Sequence, residues 1–145
     1  MHTTEAIVLA TRPVGEADAV CVLYTRDFGK IRALAQGIKK EEAKLRGHCE
    51  PPNRVSAGFV IGKNGERLVY AQALESYPRI RGDLDCMKAA WRALALIDQQ
   101  CFEGERDERL WSILEKTLSD LDENGLSDAT ISEFNAKVTA AFGYG

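Results

Sequence analysis

The chain has 145 residues, 45% of them hydrophobic and 28% charged, with a formal net charge of −3. That length and balance suit a soluble globular chain of one domain or two small ones, and exclude a disordered or fibrous one. No apolar run reaches the roughly 20 residues of a membrane span, and Ala6 to Ala10 lacks the basic flank and length of a secretory signal, so a cytoplasmic location is expected.

The first 77 residues read as short strands separated by turn signals. Thr4 to Arg12 is β-branched and apolar and stops at Pro13 and Gly15. Ala19 to Thr25 is the second run, Arg26-Asp27-Phe28-Gly29 is hairpin chemistry, and Lys30 to Gln36 is the third. Alternation in the third places Ile31, Ala33 and Ala35 toward a core and predicts that Lys30 and Arg32 emerge on the side away from it. Gly37 breaks the run, and Lys39, Lys40, Lys44 and Arg46 follow on a charged stretch with helical potential.

Pro51-Pro52 launches a fourth strand, Arg54 to Ile61, with Val55, Ala57, Phe59 and Ile61 predicted inward. Asn64-Gly65 is a strong hairpin signal, read as a type I′ turn with positive φ at both residues, and Arg67 to Glu75 supplies a fifth strand. Three strands, a helical or irregular connection and a two-stranded hairpin give the order of an OB-fold barrel; another small barrel, such as an SH3-like one, is the alternative. The expected fold class is α+β, with residues 1–80 an OB-fold nucleic-acid-binding domain and residues 81–145 a domain of three helices.

Beyond Pro78 the period changes to about 3.6. Asp83 is placed to cap a helix whose stripe is Leu84, Met87, Trp91, Leu94, Ile97 and Cys101, with Gly104 at its C′ position. Trp111, Leu114, Leu118 and Leu121 form a second stripe ending at Asn124-Gly125. Ser127 or Asp128 opens a third helix carrying Ile131, Phe134, Val138 and Ala141. The aromatics Trp91, Phe102 and Trp111 read as core residues before they read as a ligand pocket.

Charge divides unevenly. Residues 1–81 hold 13 Lys and Arg against 9 Asp and Glu, whereas residues 82–145 hold 6 against 13. A basic first part calls for an anionic partner. Cys21, Cys49, Cys86 and Cys101 have no C-x-x-C spacing and read as buried thiols; the neighbours His48 and Cys49 would be the pair of an enzyme reading, which no motif supports. No Walker loop, dinucleotide fingerprint, H-E-x-x-H or G-x-S-x-G occurs, so no catalytic residue, metal or cofactor is expected. The remaining chemistry is cationic side chains on a strand-rich platform, with Tyr24, Phe28 and Phe59 as the nearby aromatics and Phe59 on the core alternation.

Several segments in order resemble one family, the bacterial recombination mediator and DNA repair protein RecO. Thr4 to Leu9 with Arg12-Pro13-Val14-Gly15-Glu16-Ala17-Asp18 is similar to its opening strand and turn, and Leu23 to Ile31 to its second hairpin. Ala35-Gln36-Gly37-Ile38-Lys39-Lys40 takes the place of its basic element. Leu45 to Val55 and Ala71 to Tyr77 match later barrel segments, and Phe134 to Gly145 resembles a helix and turn of its helical domain. Two departures stand out. The chain stops where relatives continue into further helices and often a cysteine zinc module, so no zinc role is carried over. Glu41-Glu42-Ala43 also interrupts the basic element, and Glu42 is one turn from Arg46.

The resemblance implies a non-enzymatic mediator that binds single- and double-stranded DNA and anneals strands. With RecR it would assist loading of RecA onto strands covered by single-strand binding protein, whose acidic C-terminal tail docks on the helical domain. The DNA-binding residues expected are Lys30, Arg32, Lys39, Lys40, Lys44 and Arg46. Arg92 and Arg109, beside Trp91 and Trp111, are the expected cations for the tail. The competing readings are an OB-fold adaptor with little DNA affinity and an RNA-binding OB module.

Overall fold

The computed structural model describes residues 1–40, 45, 47–143. Five strands close into a barrel: β1 (His2–Val14), β2 (Asp18–Thr25), β3 (Gly29–Ala35), β4 (Arg54–Gly62) and β5 (Gly65–Glu75). Their order around the barrel is β1-β2-β3-β5-β4, with β4 returning to β1, which is OB topology. All pairs are antiparallel except β3 with β5, a short parallel contact at Ala33–Glu66 and Leu34–Arg67. The interior is filled by alternating residues such as Val8, Leu23, Ala33, Val55, Ala57 and Phe59.

The strand starts and turns follow the sequence pattern with two differences. In the last hairpin, Gly65 has a φ of 103° and Asn64 is not left-handed, so the turn is not type I′. Ile61, expected inward, is 66% exposed because the β4–β5 hairpin runs past the closed part of the barrel.

Helices follow: α1 (Pro78–Gly82), α2 (Leu84–Gln100), α3 (Glu108–Asn124) and α4 (Asp128–Ala141). The Asp83 carboxylate caps α2 by accepting from the amides of Asp85 and Cys86, and Ser127 caps α4 through the Thr130 amide. The α2 stripe differs from expectation. Cys86, Ala90, Ala93, Leu94 and Ile97 face the helical core, while Leu84 and Trp91 are 66% and 53% exposed. Cys101 is buried but lies past the helix end, and residues 101–107 run out as an extended segment against β3.

That segment is why barrel and helices form one body. Gly104 donates its amide to the Lys30 carbonyl, Tyr24 donates its hydroxyl to the Asp107 carbonyl, and the Arg106 guanidinium reaches the Arg26 carbonyl. Gly29 makes this approach possible: its φ is 70°, and a Cβ there would collide with the Glu105 carbonyl. Ile7, Leu9, Val22 and Tyr24, on the outside of the barrel, belong to the same apolar core as α2 and α3. Burial pushes the Tyr24 phenol up. All four cysteines are buried thiols.

Candidate nucleic-acid interface

A bare OB barrel offers the outer face around strands two and three, with the loops at one end, to extended polymers. Here that face is divided. Lys30 and Arg32 project to the same side of β3, as alternation requires, but α2 and the 101–107 segment cover the part around Lys30. Lys30 is only 8% exposed, which corrects the expectation that it faces solvent. Its ammonium donates to the carbonyls of Asp98 and Cys101 at 2.7 and 3.3 Å and pairs with the Asp98 carboxylate at 2.8 Å. The cation is consumed inside the protein.

Asp98 also takes Arg12 at 3.0 Å. Burial by itself raises the Asp98 carboxyl, but Lys30 and Arg12 together more than offset it, and the group lies below its ordinary value. Arg32, two residues on from Lys30, stays in solvent with Glu103 at 3.5 Å and its side chain 45% exposed. An ion pair so open is weak and exchangeable.

The uncovered part of the face runs to one end of the barrel. The registers Val14–Asp18 and Ala19–Ala35 bring the β1–β2 turn and the turn after β3 to that same end, while the β4–β5 hairpin lies toward the other, where Ile61 adjoins His2 and Phe28. Lys39 and Lys40 sit there, exposed, on the turn after β3. The Lys39 amide donates to the Ala17 carbonyl and its ammonium to the Gly15 carbonyl, while the Gly37 amide donates to the Asp18 carboxylate. These bonds clamp two turns together and hold both lysines at the rim. Lys44 and Arg46 lie outside the described residues.

Two rim cations were not foreseen. Arg12 on β1 is exposed at the same end, and Arg67 on β5 is exposed directly beside Leu34 near the end of β3. The barrel assignment itself was the available signal, since OB closure places the start of the fifth strand against the end of the third. Carboxylates are present too, Glu16 and Asp18 at the turn and Glu66 next to Arg67, so among the described residues the rim is mixed with a cationic excess. The opposite end is balanced: Glu5 takes both Arg26 and Arg54.

The aromatics expected to flank this strip do not. Tyr24 lies under the helices, and Phe28 packs with His2 and Phe59 at ring distances of 5.3 to 5.4 Å, filling the far end of the barrel. Among the described residues the rim is therefore a charge surface suited to phosphate rather than to bases.

The two cations expected to receive a peptide tail do not come together. Arg92 edges an apolar groove of about 230 Å³ between α2, α3 and α4, floored by Leu96, Leu121 and Phe134. Arg109 instead holds its own cap residue, Asp107, at 3.1 Å and the Ala141 carbonyl at 3.2 Å. Nor do the tryptophans flank that groove, for Trp111 is buried and Trp91 faces the barrel side. His48 accepts the Ala73 amide at Nδ1 and ties the β3–β4 connection to β5. Among the described residues no cluster of His, Cys, Asp and Glu could hold a metal, and no helix is long and apolar enough to cross a membrane.

Fold and surface together define an OB-barrel protein whose helical part is fixed to the barrel face and whose open rim is cationic. The family described as Recombination protein O N terminal matches residues 1–77, and the chain belongs to this RecO family. It is 34% identical over 140 residues to the DNA repair protein RecO of Geobacter sulfurreducens, covering 97% of this chain and 58% of that protein. It is 31% identical over 144 residues to the RecO protein of a Roseiflexus strain, covering 99% and 50%, and 32% identical to that of Desulforudis audaxviator, covering 99% and 57%. The chain thus spans about half the length of the curated relatives it matches, each of which bears the name DNA repair protein RecO.

Proposed function

We propose that this chain is a non-enzymatic DNA-binding mediator of recombinational repair that holds single- and double-stranded DNA by the phosphate backbone along the open rim. The observation that carries this reading is the gathering of Arg12, Arg32, Lys39, Lys40 and Arg67 from separate elements at one end of an OB barrel. Contacts of this kind are tolerant of sequence, and a surface that neutralises two strands at once lowers the repulsion opposing their annealing. RecR and, through it, RecA loading are the partners this role entails. The acidic tail of single-strand binding protein fits the groove beside Arg92, where an apolar floor adjoins a cation.

The test is a salt titration of binding to labelled single-stranded DNA. The wild type is compared with the Lys39→Ala, Lys40→Ala double variant, and the tail peptide is then added. Affinity should fall with salt at up to about 0.7 per phosphate neutralised, with the slope flattened by roughly one unit in the variant. An unchanged slope removes these lysines from the interface.

A second reading, an adaptor with little DNA affinity, draws on the covered β1–β3 face and the Arg32–Glu103 pair. Tail binding without DNA binding would establish it. Competition between matched RNA and DNA oligomers separates an RNA-binding module from both.

A further inference from the structure

Between β1 and α2 runs an open groove of about 550 Å³, and at its edge stands Trp91. Its position is at odds with ordinary packing. Trp111 is 5% exposed, as a large aromatic on an amphipathic helix should be, whereas Trp91 leaves 53% of its surface in water although it borders the barrel. Ala95, one turn along α2, and Ala10 across the groove are small, so a flat space is left open beside the indole.

Arg12 and Arg81 line the groove, and Lys88 is exposed one turn before Trp91. Arg81 is spent inside the protein, donating to the Ser76 and Pro51 carbonyls and the Asn53 side chain, so the cations left to solvent are Arg12 and Lys88. The groove's carboxylates are engaged: Asp98 by Lys30 and Arg12, and Glu50 by Arg81 at 3.8 Å. The groove is also continuous with the rim. Thr11 and Glu50 belong both to it and to a neighbouring cleft of about 270 Å³ that Lys39 edges.

We infer that the β1–α2 groove binds an unpaired nucleic-acid strand, with Trp91 stacking on its bases while Arg12, half in solvent, and Lys88 meet the flanking phosphates. Stacking faces beside a cationic track are how sequence-tolerant single-strand sites are built, and the rim by itself offers no such face among the described residues. A paired base has no free face to give, so the groove confers preference for single strands on a rim that does not discriminate. This rests on the DNA-binding reading above.

The test measures binding of labelled oligothymidylate and of a duplex of equal length by the wild type, Trp91→Ala and Trp91→Phe, with tryptophan emission recorded. Trp91→Ala should weaken single-strand binding on the order of tenfold with the salt slope and duplex affinity kept. Trp91→Phe should retain most of the affinity, and the strand should quench emission in the wild type only. Wild-type binding that Trp91→Ala leaves intact, without quenching, overturns the groove and spares the rim. Equal losses for strand and duplex overturn stacking. No binding of either nucleic acid by the wild type overturns both readings. Sedimentation showing a dimer that Trp91→Ala dissociates would assign the groove to a second copy and overturn the inference.

Discussion

Lys30 and Arg32 are two cations on the same side of the same strand, one under the helices and one beyond them. The first is 8% exposed and is held by Asp98 and the Cys101 carbonyl; the second keeps nearly half its side chain in water with only an open ion pair to Glu103. Burial sets the difference. Where α2 and the 101–107 segment exclude water, a charge must be matched inside the protein and becomes part of the joint between barrel and helices. Where solvent remains, the same kind of charge stays available to a phosphate.

The sharpest way to break the comparison is to force the covered region open. Gly29→Ala combines a left-handed φ with a Cβ driven into the Glu105 backbone, and should cost about 3 kcal/mol, read as a lowered denaturant midpoint. Lys30→Ala should cost about 2 kcal/mol, since Arg12 still serves Asp98. It should leave the salt slope of DNA binding unchanged, which Arg32→Ala should not. A Lys30→Ala variant of native stability with weakened DNA binding would invert the assignment.

Acid probes the same joint. The Asp98 carboxyl lies below its unfolded value, so its contribution is complete above about pH 4 and is lost as pH falls through the folded value. Asp98→Asn should therefore show a flatter fall in stability below about pH 4 than the wild type, in denaturant melts at each pH. A parallel fall would mean Asp98 does not couple to folding.

On the open side the smallest effect is the most specific. Glu103→Gln releases Arg32 and should tighten DNA binding by about twofold to fivefold, in keeping with an exposed pair worth a few tenths of a kcal/mol to 1 kcal/mol. Stability should not move. Weaker binding in this variant would place Arg32 outside the interface.

Much of the barrel was legible because each strand carries its own alternation and each turn its own residues. Cys21, Leu23 and Ala33 point inward as their spacing requires, and Asp83 and Ser127 cap the helices they precede. The α2 stripe was misread for a definite reason. That helix has two neighbours, and its core contacts use the small residues Cys86, Ala90 and Ala93, which carry a weak apolar signal beside Trp91 and Leu84. The extended run after α2 was hidden as well, since Gly104 looks like a helix end and serves instead as a contact to the Lys30 carbonyl.

The candidate interface shows the same division. Lys39 and Lys40 are exposed, as the charged stretch after Gly37 requires, but on a turn where that stretch had helical potential, whereas Arg12 and Arg67 join them only through strand order and closure. What the sequence by itself determined was the five strands, the three long helices and the family, because periodicity, turn residues and ordered motifs are local properties of the chain; the short α1 and the extended run after α2 were not among them. Which cations meet solvent and which are spent, and where an aromatic stands beside them, was decided only in the tertiary structure. Burial and ion pairing depend on residues such as Lys30 and Asp98, 68 positions apart, and no local pattern records that distance.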